Sequence, residues 1–118
     1  MDYRLDHVAI QCEDIKDSIR FYKELFNGEP TEMRRGSSGY DFCFVKINGA
    51  ASVQLMESSG KVGVHHYGFV TNDVEAAAEG FRQKGAKIIR ENRDAGGKLT
   101  TIFLEDPNGL QIEVRLPR

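Results

Sequence analysis

Two stretches of the chain begin alike and lie half its length apart. "HVAIQCED" opens on His7 and "HYGFVTND" opens on His66, each a histidine, an alternating strand-like run and an aspartate seven positions on, Asp14 and Asp73. Matching the histidines fixes an offset of 59 residues, and every further correspondence then tests that offset. A duplicated unit of this kind constrains the fold more than any local propensity, because each copy must repeat the same supersecondary structure. Asp14 and Asp73 stand where a helix N-cap is wanted. A helix near 15–26 then carries Ile15, Ile19, Tyr22 and Phe26 on one face, and one near 74–84 carries Val74, Ala77, Ala78 and Phe81. Gly28 and Gly85 suit the two helix exits.

The strands that follow keep the offset. "YDFCFVKI" (40–47) matches "LTTIFLED" (99–106), with Phe44 over Phe103. Tight turns come next, "NGA" at 48–50 and "DPNG" at 106–109, and then the closing strands "SVQLM" (52–56) and "QIEVR" (111–115). Each half reads β-α-β-β-β, and the polar stretch "ESSGKVG" (57–63) links them. The expected fold is α+β: two tandem βαβββ modules, about 4–57 and 63–116, in a single 118-residue domain, forming a curved mixed eight-stranded sheet with the helices outside.

Strand parity sorts the polar residues. Val53 and Leu55 pack toward the helix layer, which turns Gln54 the other way; Ile112 and Val114 do the same for Glu113. His7 shares a face with Ala9 and Gln11, and His66 with Gly68. The neighbouring His65 has the packing parity and belongs at the edge of that face. The repeat therefore brings His7, Gln54, His66 and Glu113 toward a pseudo-twofold axis. Singly, each is an ordinary half-buried or solvated strand residue. Jointly, two imidazoles, an amide oxygen and a carboxylate make a ligand set for a divalent ion of the Fe, Co, Ni, Zn or Mn kind.

Composition removes other classes. With 16 basic and 18 acidic residues the net charge is −2, so no electrostatic footprint for nucleic acid is present. Neither a signal segment nor an apolar run of membrane-spanning length is seen, and the expectation is a cytoplasmic protein acting on small molecules. Cys12 and Cys43 have no metal-site spacing and read as buried free thiols.

"DHVAI", "HHYGFVTNDVE", "FLEDPNG" and "QIEV" resemble the vicinal oxygen chelate superfamily, which includes glyoxalase I, methylmalonyl-CoA epimerase, extradiol dioxygenases, fosfomycin-resistance enzymes and bleomycin-binding proteins. The resemblance covers the whole chain. It implies metal ligands at His7, Gln54, His66 and Glu113, proton transfer next to a carbonyl, a small-molecule substrate such as an anionic thioester or thiol conjugate, and a homodimer. Gln54 stands where glyoxalase I usually offers a glutamate, and a set of His, Gln, His and Glu is more similar to the epimerase. An amide has no carboxylate proton to exchange, so Glu113 is the first candidate for the proton carrier. Asp41 is a second, since the epimerase has an acidic residue in that region, although a solvated strand-end carboxylate is the commoner role. Arg34 and Arg93, also 59 apart, are candidates for holding an anionic substrate end, and the loops "RRGSSG" (34–39) and "RDAGGK" (93–98) for gating the cleft. Two other readings stay open: a non-haem iron extradiol-type dioxygenase, for which two histidines and a carboxylate suffice, and a non-catalytic binding or resistance protein.

Overall fold

A computed structural model of the chain describes residues 1–36, 39–58 and 60–118. Parts of "RRGSSG" and "ESSGKVG" lie outside the described residues. The described chain has nine strands and two helices in the order β1 (Arg4–Cys12), α1 (Ile15–Phe26), β2 (Glu29–Pro30), β3 (Arg34–Arg35), β4 (Asp41–Ile47), β5 (Ala50–Glu57), β6 (Gly63–Val70), α2 (Val74–Gln83), β7 (Lys87–Arg93), β8 (Leu99–Glu105) and β9 (Gln111–Arg115). The α+β class and the repeated βαβββ order follow the sequence reading. Nine strands replace eight because the second strand of the first half is broken into β2 and β3. After Pro30 the N–H of Thr31 still donates to the Phe44 carbonyl, but the Phe44 N–H turns to the Thr31 hydroxyl, and the regular ladder of β2 ends there. Contacts divide the chain into two compact units, residues 7–65 and residues 66–118 with 1–6.

In the first unit the strands run in the order β2-β4-β5-β1, with β3 also on β4. β1 and β5 are parallel, pairing Val8 with Val53 and Ala9 with Gln54, while β4 and β5 are antiparallel, pairing Phe44 with Gln54. Asn48 and Gly49, both at positive φ (54° and 79°), make the turn between β4 and β5. Asp14 caps α1 by accepting from the backbone N–H groups of Lys16 and Asp17. One face of α1 covers a core of Cys12, Ile15, Cys43, Val45 and Leu55, with Ile19 and Tyr22 against it. Phe26 departs from the expected helix face: it is exposed, in contact with the rings of Phe21 and Tyr22. Both cysteines are buried free thiols, and burial, with Cys12 beside it, pushes the Cys43 thiol above its ordinary range.

The exit of α1 also differs from expectation. The left-handed residue there is Asn27 (φ 55°) rather than Gly28. Gly28 serves a different purpose, since a Cβ built on it would lie 2.5 Å from Val45 Cγ1. It lets the chain pass against the core.

In the second unit the order is β6-β9-β8-β7. β6 and β9 are parallel, with Gly68 opposite Glu113, and β8 and β9 antiparallel, with Phe103 opposite Glu113. Asp73 caps α2 through the N–H of Ala76, and the helix exits through Gly85 at φ 78°. Asp106 organises the β8–β9 turn, its carboxylate accepting from the N–H groups of Asn108 and Leu110. The core here is Val74, Ala78, Leu99, Ile102 and Val114, with Phe69, Phe81, Ile88, Leu104 and Ile112 packed on it. Burying a side chain of this size contributes about 1.5–3 kcal/mol.

Candidate metal centre

Each unit builds the same constellation from the same three strands. In the first, His7 on β1 is 2% exposed and stands edge-on to the Phe44 ring on β4, with centroids 5.7 Å apart and planes at 83°. Gln54 on β5 is half-buried and in register with both Ala9 and Phe44, so amide, ring and imidazole share one face. In the second unit His66 on β6 is 5% exposed and edge-on to Phe103, at 6.1 Å and again 83°. Glu113 on β9 is half-buried and in register with Gly68 and Phe103. The ligand atoms of His66 and Glu113 lie within 4.8 Å of each other, close enough for one ion to take both.

The sequence explains the arrangement. Val53, Leu55, Ile112 and Val114 are drawn to the helix-covered core, and pleating sends the residues between them to the opposite face. A wall of one aromatic ring beside each imidazole follows from Phe44 and Phe103 holding the same parity. These edge-on contacts fix the ring planes.

The secondary candidates fall elsewhere. Asp41 has the parity of Cys43 and Val45 on β4, opposite to Phe44, and its Oδ1 forms an ion pair with Arg35 Nε at 3.1 Å. Arg34 is exposed on the short β3. Arg93 is not available to an anion as expected: its Nη1 donates to Glu75 Oε1 at 2.9 Å and to the Gly97 carbonyl at 3.0 Å, beside α2. His65, next to His66, is half-buried.

Arg90, absent from the sequence reading, lies on the face of Glu113. β7 pairs Ile88 with Leu104 and then Arg90 with Phe103, so two residues on β7 span one step on β8. This bulge leaves Ile88 on the core side while Arg90 takes the opposite face. The guanidinium carbon sits 4.1 Å from the centroid of the Phe103 ring. A bulge is set by the partner strand, and "KIIRENR" read with plain alternation puts Arg90 with Ile88.

The family model described as the Glyoxalase/Bleomycin resistance protein/Dioxygenase superfamily matches residues 4–114. A lactoylglutathione lyase of Salmonella typhimurium is 31% identical over 127 residues, covering 94% of this chain and 90% of that protein. A probable chloroplastic lactoylglutathione lyase of Arabidopsis thaliana is 28% identical over 122 residues, and the chain spans 35% of the plant protein's length. Among solved structures, methylmalonyl-CoA epimerase of Mycobacterium tuberculosis has the same fold, with TM-score 0.80 and 20% identity over 98% of this chain and 88% of that one. A variant of the Streptomyces coelicolor epimerase, in complex with 2-nitronate-propionyl-CoA, matches with TM-score 0.75 and 29% identity over 94% of each chain. The chain belongs to the glyoxalase, bleomycin resistance protein and dioxygenase superfamily.

Proposed function

We propose that this protein is a metal-dependent lyase or isomerase that moves a proton next to a carbonyl, with His7, Gln54, His66 and Glu113 as ligands of a divalent Ni, Co, Zn, Fe or Mn ion. The observation that carries the reading is the approach of the His66 and Glu113 ligand atoms to within 4.8 Å, on a strand face whose counterpart in the other half bears His7 and Gln54. Two nitrogens and two oxygens form a donor set of borderline hardness that fits such ions, and the half-burial of Glu113 and Gln54 leaves a way in for substrate. A divalent ion bound there supplies positive charge opposite the carbonyl oxygen of a substrate.

Glu113 carries the proton. Its carboxylate takes the proton from the carbon next to the carbonyl, the C–H electron pair shifts toward the carbonyl oxygen, and the same carboxylate delivers the proton to the neighbouring carbon, as in conversion of a hemithioacetal to a thioester. Epimerisation needs a second acid to reprotonate the opposite face of the same carbon. Gln54 orients without titrating, because an amide neither gains nor loses a net proton near neutral pH. Phe44 and Phe103 keep water from the edges of the imidazoles. The substrate is a small thioester or thiol conjugate, in keeping with the relatives named lactoylglutathione lyase and methylmalonyl-CoA epimerase. The working form in this reading is a cytoplasmic homodimer.

The test follows solvent deuterium. Protein reloaded with nickel or zinc is incubated in D2O with methylmalonyl-CoA, and separately with the glutathione hemithioacetal of a 2-oxoaldehyde. Deuterium is expected on the carbon next to the carbonyl of one of them, without oxygen uptake, and Glu113→Gln lowers the rate at least ~100-fold. Oxygen consumption with a catechol on iron-loaded protein, and no exchange, would replace this reading with the extradiol one.

A further inference from the structure

We infer that Arg90 is the specificity-determining residue of this site and that it selects substrates bearing a carboxylate; the inference rests on the proton-transfer reading above only for where the substrate reacts. One register row crosses the second unit from Gly68 through Glu113 and Phe103 to Arg90. Paired residues of neighbouring strands project from the same face, so the cation lies on the face of Glu113, two strands away. Strand spacing of ~4.8 Å puts the two backbones roughly 10 Å apart, and the guanidinium, 4.1 Å from the Phe103 centroid, leans toward the strand between them.

Three features separate Arg90 from an ordinary surface arginine. Its neighbours on β7 turn to the helix side, where Glu91 meets Arg82 and Arg93 meets Glu75. Among the described residues Arg90 has no hydrogen bond or ion pair to a protein group. It is instead stacked on an aromatic ring, an arrangement that fixes the guanidinium plane and leaves its in-plane N–H groups open to a carboxylate. The β-bulge is what delivers it to this face. At the matching place in the first unit stands Thr31, whose Oγ1 accepts from the backbone N–H of Phe44 and which carries no charge. The duplicated halves thus share His and Phe, exchange Gln for Glu and Ala for Gly, and place a cation on this row only in the second half.

The test is a pair of NMR titrations on the full chain, read at the Arg90 Nε–Hε signal and the Phe103 ring protons. In zinc-free protein, glutarate is expected to shift both saturably and neutral glutaramide neither. Arg90→Gln abolishes the glutarate response, and Arg90→Lys keeps a weaker one. In zinc-loaded protein, 2-oxoglutarate binds roughly tenfold tighter than 2-oxobutanoate, and Arg90→Gln brings the ratio close to one. Failure of zinc to bind overturns the ion site alone, and the glutarate arm still decides Arg90. Equal glutarate affinity in the wild type and Arg90→Gln, or shifts confined to other arginines, overturns the assignment.

Discussion

Gly28 carries a constraint that no turn conformation demands. The methyl of an alanine would meet Val45 Cγ1 at 2.5 Å, and Val45 is fully buried. Gly28→Ala therefore forces the core side chain or the chain itself to move. A loss of about 1–3 kcal/mol is expected, read as a lower urea midpoint with unchanged slope. The sequence offered the glycine and its place after a helix, which pointed to a left-handed exit; Asn27 took that conformation because a short polar side chain tolerates it. The site residues were more legible. His7, His66, Gln54 and Glu113 came from a repeat offset and a parity rule; the register pairs Gln54 with Ala9 and Phe44, and Glu113 with Gly68 and Phe103, and the ligand atoms of His66 and Glu113 lie close together.

At the scale of elements, one carboxylate of the second helix is bonded to two strands of its sheet. Glu75 Oε1, in the first turn of α2, accepts from Arg93 Nη1 at the end of β7 and, at 3.3 Å, from the backbone N–H of Leu99 at the start of β8. The ion pair is exposed and contributes little, so the backbone hydrogen bond dominates. Glu75→Ala is expected to cost about 1 kcal/mol and Glu75→Gln, which keeps an acceptor, about half that, by chemical denaturation. This pairing also engages Arg93. Two facts about β7 were closed to sequence reasoning for one cause: the facing of Arg90 and the capture of Arg93 depend on register with β8, which is settled by packing of Ile88 and Leu104. Helix starts, by contrast, were legible because Asp14 and Asp73 act on backbone groups two or three residues away.

For the whole molecule, ligand linkage gives the broadest prediction. A species that binds only the folded chain raises its stability by RT ln(1 + [L]/Kd), about 2.7 kcal/mol at a hundredfold excess over Kd. For a chain of this length that is on the order of 10 °C in melting temperature. Zinc or nickel is expected to raise the melting temperature of the wild type by this order and to leave His66→Ala nearly unmoved. No described helix is long and apolar enough to cross a membrane. An equal upward shift in both proteins would place the ion on some other group of ligands.

The edge-on seating of His7 against Phe44 and of His66 against Phe103 has a thermodynamic consequence. Each imidazole loses its torsional freedom when its own half of the chain folds, before any ion arrives. Ordering entropy is thus spent early, and capture of the ion costs correspondingly less. In the proposed site the two imidazoles, already oriented by their ring neighbours, would meet an ion.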